Sequence, residues 1–470
     1  MEPGSFESHH HWYPKALNAN IHPLVRYFMG LSTHRIVQRY THLHPSVEAT
    51  HLQELLSYSP KYFKWAGADL FHVTDNAGRR RMIVIENNSC PSGQKSMPLY
   101  NDDEEQGGYR RLMEATVPPS LRKKLREDQH VAVLYDKNPM ETKGYASALA
   151  DLLDRDIILL YWPSGDNSLT RYDNGVLEIL HEGSWKKIAM AFRYVTQKPW
   201  NRIPVNTKTK IVNPVLTCLA GGRNKLMASK AYEFFNARYS HTGLAIRTPQ
   251  TIRDVSLGEV PIWVERMGGM AVVKSPYGNA GQAVYTIVSQ EELDKFLAID
   301  HAYDKFIVQA LIGDSAWSSL QGEEQLYHVG TVPNLKGNTY AADLRIMVSG
   351  SGSGFQPLCM YSRRARKPLV RELKSGEDSW SRLGTNLSIK REDGGWDSDT
   401  DRLLLMDRRD FNALGVGLDD LIEGYIQTVL STIAIDQLAI ELVNSKGRFR
   451  AKLFRSMDAD KSLISEILLD

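Results

Sequence analysis

The sequence predicts an α+β protein that contains an α/β subdomain, and three observations carry the prediction. Residues 130–220 open as "HVAVLYD", "METKGYASALADLL" and "DIILLYW", which is strand, amphipathic helix, strand, the β-α-β order of a partly parallel sheet. Outside that region strands come as neighbours joined by tight turns: "ADLFHVT" with "RRMIVIENN" across "DNAG", and "AADLRIMVSG" with "GFQPLCMYSR" around "SGSGSG". A chain of 470 residues is long enough for about two to four separate cores.

The elements follow in order. Residues 1–64 show helical spacing, as in "VRYFMGLSTHRIVQRY" and "VEATHLQELLSYSPKYF". After the first strand pair comes a polar loop, "PSGQKSMPLYNDDEEQGG", and a charged helix around "LRKKLRED". The α/β region continues with the strands "GVLEIL", "KIAMAFRYV" and "KIVNPVL". A new unit starts at the helix "GGRNKLMASKAYEFF". It holds the strands "AVVKSPYG", "QAVYTIVS" and "DKFIVQALI" and the helix "QEELDKFLAI". Residues 374–401 read as a long, mobile polar loop. A helix, "LDDLIEGYIQTVLSTI", then leads to a last strand pair, "QLAIELV" and "RFRAKLFRS", turned by "NSKG". The expected division is 1–125, helical segment plus strand pair; 126–220, small α/β domain; 221–320 and 321–470, two further subdomains.

Composition narrows the function classes. Charged residues at 24% and hydrophobic ones at 42% are ordinary for a soluble globular protein. A formal net charge of +2 gives no global electrostatic case for nucleic acid or anionic membrane, so neither is an expected partner, and any bound anion needs a local cluster. Cys90, Cys218 and Cys359 have no metal spacing, and so sparse and odd a count argues for a reducing compartment. No signal-peptide pattern or membrane-length apolar run is present, and a cytoplasmic protein is expected. His9, His10 and His11 read as a solvated terminus rather than a metal tract.

Two stretches carry chemistry. In "VVKSPYGNAGQAVYTI", Lys274 ends a strand, and Gly278 and Gly281 open a loop that returns into another strand. Glycines let backbone N–H groups approach phosphate, and the lysine adds a point charge. The loop lacks Walker spacing, and taken alone it is as readily an ordinary hairpin. In "MIVIENNSCPSG", Glu86 and Asn88 stand two apart at a strand end and so share one face, with Asp69 on the preceding strand. The bland alternative is a polar strand end. Cys90 also offers a thiol, though most lone cysteines are not nucleophiles.

The ordered set Lys225, Lys274, Gln309, Ala310, Leu311, Ile312, Asp314, Arg345 over residues 213–455 resembles the ATP-grasp superfamily. The resemblance implies two subdomains clamping ATP between their sheets. It implies Lys225 and Lys274 on the phosphates, with Gly278 and Gly281 in the loop above them. Gln309, Ala310, Leu311 and Ile312 would line the adenine pocket, and Asp314 would meet the ribose. Arg345, two residues from Asp343 on one strand face, would be the catalytic residue on the acyl phosphate. Family members place an acidic residue and Glu-x-Asn for magnesium on a C-terminal strand pair. Here Glu441 fits the first position, but Leu453 and Arg455 stand where Glu and Asn belong.

The complete pattern is N-terminal: Asp69, Glu86 and Asn88. This arrangement is similar to circularly permuted members such as glutathionylspermidine synthetase and related carboxylate–amine ligases. The resemblance thus implies an ATP- and Mg2+-dependent ligase joining a small carboxylate to an amine, on an amino acid or peptide. Ser89, Ser92 and Lys95 would offer donors to the acceptor, and Arg363, Arg364, Arg366 and Lys367 either face an anion or form a solvated surface. Two other readings stay open: nucleotide binding without turnover, and a kinase on the same fold.

Overall fold

In the computed structural model, the described residues are 1–467 except 102, 119, 164–166, 197, 198, 278–282, 375 and 391–395. Three larger sheets organise them. The first is seven-stranded, in the order Leu320–Gln321, Glu324–His328, Trp65–Asp75, Ala342–Ser351, Gly354–Arg364, Leu403–Leu404, with Arg80–Ser89 also paired to Trp65–Asp75. The N-terminal hairpin therefore lies beside the strand that carries Arg345, across a sequence separation of some 276 residues. The second sheet is four-stranded and antiparallel: Val284–Ile287, Ala271–Lys274, Lys305–Ala310, Thr251–Ser256. The third is the α/β unit, in which Gln129–Tyr135 is parallel to both Ile157–Tyr161 and Ser184–Tyr194. The architecture is α+β with an α/β subdomain, and its first two sheets face each other across a cleft, the clamp that the ATP-grasp resemblance implies.

The core centres on one helix, Leu418–Glu441, which is apolar on nearly every side and buried along most of its length. It packs on the back of the seven-stranded sheet. Gly424 marks the closest approach: a Cβ there would meet Ile346 at 2.9 Å and Leu70 at 3.1 Å. Period-two alternation in the strand Arg80–Ser89 decides which side chains meet the helix. Asn87 points back and donates to Ser431 at 2.9 Å and Thr432 at 3.0 Å, whereas Glu86 and Asn88 point to the opposite face, into the cleft.

Three expectations are corrected. The C-terminal strand pair does not form. "QLAIE" continues the long helix, and Leu453 and Arg455 lie on a short helix, Ala451–Met457. A short apolar run cannot by itself be told from buried helix, and here the run is in phase with a helix apolar all round. Residues 374–401 are not simply loop: they include the helix Trp380–Leu383 and the paired strands Ser388–Lys390 and Trp396–Ser398, with Ser379, Arg382 and Thr385 buried. The N-terminus is packed in part: His9 and His10 are exposed as expected, but Phe6, His11 and Trp12 are buried and Trp12 donates to Met97 O at 3.1 Å. Burial lowers the pKa of His11, which hydrogen-bonds Met140 O.

Candidate functional site

The two sheets and the start of the helix Pro139–Leu153 enclose a cleft of about 840 Å3. Its floor is a row of directly opposed residues across four strands of the seven-stranded sheet: Glu86, Asp69, Arg345, Tyr361. A β-bulge between Asp69 and Leu70 sets Glu86 opposite Asp69 in this row. A second row, Phe71, Asp343, Arg363, runs beside it.

Arg345 grips Asp69 in a two-pronged bond, Nε to Oδ1 at 2.5 Å and Nη2 to Oδ2 at 2.7 Å. Arg363 reaches the same carboxylate at 3.0 Å and also pairs with Asp343, which accepts a further bond from Thr385 at 2.9 Å. All four charged groups are buried. Burial opposes ionisation of Asp69, but the guanidiniums of Arg345 and Arg363 prevail and hold its carboxyl well below the usual range. Burial likewise works against the charge on Arg345, and Asp69 more than restores it. Tyr361 donates to Ser92 O at 2.9 Å, and Arg345 also donates to that carbonyl, at 3.2 Å.

The roof comes from the four-stranded sheet. Lys274 is buried and donates to Gln309 Oε1 at 2.6 Å, and Gln309 is held from its other end by Thr251 at 2.9 Å. Burial lowers the pKa of Lys274 to about 8, with the nearby Glu86 charge opposing and Lys225 assisting. Lys225 opens the helix Lys225–Tyr239 and approaches Glu86 at 3.4 Å. Lys274 on the four-stranded sheet and Lys225 at the start of its helix thus face the same space as Arg345 and Arg363 on the seven-stranded sheet, accompanied by Glu86.

The predicted residues sort clearly by position. Asp69, Glu86, Asn88, Lys225, Lys274, Gln309, Ala310, Ile312 and Arg345 line the cleft. Leu311 does not: its side chain is fully buried elsewhere, and its N–H and C=O are both engaged by Ser319. Asp314 closes its own turn, accepting from Ala316 N at 3.0 Å, away from the cleft lining. Gly278 and Gly281 lie outside the described residues. Of the loop donors, Ser92 and Lys95 reach the cleft, whereas Ser89 is buried against Thr217 and Arg193. Arg363 faces the cleft; Arg364 stacks over Tyr340, and Arg366 and Lys367 are exposed. Cys90 is fully buried, donates to Arg193 O at 2.9 Å, and has its pKa raised by burial, so it is an inert thiol.

The donor set for a divalent cation can be tested residue by residue. Glu86 is partly exposed to the cleft, and its ion pair with Lys225 is a long one, 3.4 Å. Asp69 has both oxygens held by arginine, and Asn88 Oδ1 accepts from Arg223 at 3.0 Å. The arrangement therefore fits magnesium held by one carboxylate, Glu86, with phosphate oxygens and water completing the shell, a common mode for this ion. Among the described residues no cluster of three His, Cys, Asp or Glu side chains is placed to bind a metal.

Three cleft residues escaped the sequence reading. Arg223 ties the end of the hairpin down through Asn88, Ser89 O and Cys90 O. Asp136 and Lys137 follow the C-terminal end of the strand Gln129–Tyr135, the central parallel strand. That place was legible: open α/β sheets bind ligands beyond the carboxyl ends of strands, where the strand order reverses. Lys137 is half-buried, and burial, helped by Arg223, lowers its pKa to about 7.

No family model matches the chain, and no curated protein does. Among solved structures it is similar to a glutathione synthetase-like effector from Globodera pallida in its apo form, at 12% identity and TM-score 0.40, over 73% of this chain and 81% of that one. A RimK domain ATP-grasp protein from Sphaerobacter thermophilus matches at 14% identity and TM-score 0.30, over 52% and 93%. An N5-carboxyaminoimidazole synthetase from Staphylococcus aureus, complexed with ADP, matches at 9% and TM-score 0.18, over 45% and 63%. Among the described residues no helix is long and apolar enough to cross a membrane.

Proposed function

We propose that the protein is an ATP-dependent ligase that joins a carboxylate to an amine through an acyl phosphate. The observation that carries this reading is the convergence of Glu86 and Asp69, Lys225 and Lys274, and Arg345 from distant parts of the chain on one cleft of about 840 Å3. On this reading the chain is a circularly permuted ATP-grasp enzyme. The support is that its Asp/Glu-x-Asn hairpin precedes the lysines in sequence yet pairs with the Arg345 strand in space.

The residues take these roles. Lys225 and Lys274 neutralise the triphosphate, and Ala310 and Ile312 offer an apolar flank for the base. Arg345 and Arg363, prepaid in orientation by Asp69 and Asp343, present N–H groups where charge gathers on the transferred phosphoryl group. A substrate carboxylate oxygen attacks the γ-phosphorus, the bond to ADP breaks, and ADP leaves with its electron pair. An amine nitrogen then attacks the acyl carbon, inorganic phosphate leaves, and the amine gives up a proton. Magnesium, when bound at Glu86, supplies further neutralisation of phosphate charge. Lys95 and Lys137, at the end of the cleft beside Ser92, hold the substrate's anionic parts. The substrates on this reading are small, an amino acid or peptide among them. Three buried free thiols support a reducing, cytoplasmic location.

A second reading, nucleotide binding without turnover, is favoured by one observation: arginines already engage Asp69 and Asn88. ADP release from ATP and amino acids, with and without added amine, separates the readings. Amine-dependent release supports the ligase. Binding without release supports the second reading, and an amine-independent phosphorylated product supports a kinase.

A further inference from the structure

A second concavity, about 630 Å3 in volume and sharing no lining residue with the cleft, lies where three cationic segments meet. Lys61 and Lys64 lead into the strand Trp65–Asp75, Lys208 and Lys210 lead into and begin the strand Lys210–Val212, and Lys446 and Arg448 follow the long helix Leu418–Glu441. No Asp or Glu lines this space. Among the described residues none of the six cations has an ion pair, in a chain whose basic and acidic residues otherwise nearly balance at 57 to 55. Burial, and then the charges of Lys64 and of Lys124 outside the lining, lower the pKa of Lys210, so Lys64 and Lys210 repel each other across this space.

The walls are nevertheless fixed. Buried Asp436 accepts from Lys61 N, Tyr62 N and Phe63 N at 3.0, 2.8 and 2.7 Å. Buried Asn213, held at a left-handed φ of 52°, accepts from Lys64 N at 2.9 Å and Trp65 N at 3.0 Å. Asn444 accepts from Lys446 N at 2.9 Å and Arg448 N at 3.0 Å. Three separate polar side chains therefore spend hydrogen bonds on the backbone of two of the cationic segments instead of on the charged ends, of which Lys61 lies over the Tyr62 ring at 5.2 Å. Repulsion held in place by the fold is what an anion site needs before its ligand arrives.

We propose that this concavity binds a compact polyanion carrying several phosphate groups. Lysine outnumbers arginine five to one there, which suits point-charge neutralisation of phosphate better than two-pronged recognition of carboxylate. The cations come from three segments around one half-open concavity of small-molecule size instead of forming a stripe, which favours a compact ligand over an extended nucleic-acid backbone.

The test is isothermal titration of the full chain with inositol hexakisphosphate at about 0.15 M salt, where exposed charges act only within ~8 Å. One site per chain is expected. Affinity should fall at least tenfold in Lys208→Ala/Lys446→Ala/Arg448→Ala, three exposed positions, with the melting temperature kept. Lys61→Gln/Lys64→Gln should show the same loss. Lys274→Ala, in the cleft, should bind as wild type. Absence of binding, binding as tight as wild type by either multiple variant, or loss in Lys274→Ala would each overturn the proposal. So would tighter binding of a 16-nucleotide single strand that needs the same cations. None of these outcomes depends on whether the cleft is a ligase.

Discussion

Replacing Asp69 by Asn keeps the shape of the side chain and removes the charge that two buried arginines share. Arg363 keeps Asp343, but Arg345 loses the one carboxylate it pairs with. Breaking a buried pair by removing one partner costs about 3–5 kcal/mol, because the remaining charge is left without compensation. Unfolding entropy of about 2.1 cal/mol/K per residue over 470 residues gives about 1 kcal/mol/K, so the melting midpoint should fall by about 3–5 °C. The assay is differential scanning fluorimetry at pH 7 in chelator without nucleotide, which removes any metal contribution. The pH dependence has a definite sign. The folded state depresses the Asp69 pKa, so its stabilisation is fully present above the ordinary aspartate value of about 3.9 and is lost as pH falls toward the folded one. The gap between wild type and Asp69→Asn should be constant from pH 8 to 5 and narrow below about 4. An unchanged midpoint at pH 7, or a gap that widens in acid, would refute the reasoning.

Other consequences can be checked in parallel. Lys274→Ala should weaken ATP binding about tenfold or more; in the wild type, ATP affinity should decline as pH rises through about 8, where Lys274 loses its proton, and the variant should lack that decline. Glu86→Gln should stay folded, raise the magnesium requirement and cut turnover strongly, whereas Glu441→Gln should leave kcat within about twofold, because Glu441 is exposed and pairs with Arg238 at 3.3 Å. Lys137→Met should raise KM for the carboxylate substrate with little change in ATP affinity; the wild-type KM should climb above pH 7 as Lys137 is neutralised, and the variant profile should be flat.

Local patterns were legible where the period of the chain decided the matter. Two-residue spacing put Glu86 and Asn88 on one strand face, and the β-α-β order gave the parallel sheet. Which strand lies on the other side of Trp65–Asp75 was a long-range question, answered here through the register of Asp69 with Arg345. The C-terminal segment misled because "QLAIE" is apolar at both helical and strand spacing, and only the seven-stranded sheet beneath makes the long helix the better burial. Arg223 stands in no local motif and gains its meaning from the distant hairpin end, whereas Lys137 had a local signal in its place just beyond the central parallel strand. The carboxylate–arginine grip on Asp69 was likewise invisible, because nothing local tells whether an aspartate will face a metal or a guanidinium.

The most direct test is a structure with a non-hydrolysable ATP analogue and magnesium. The account predicts the triphosphate between Lys225 and Lys274 on one side and Arg345 on the other, with the metal on Glu86 of the N-terminal hairpin. Phosphates bound elsewhere, or a metal held away from that hairpin, would contradict it.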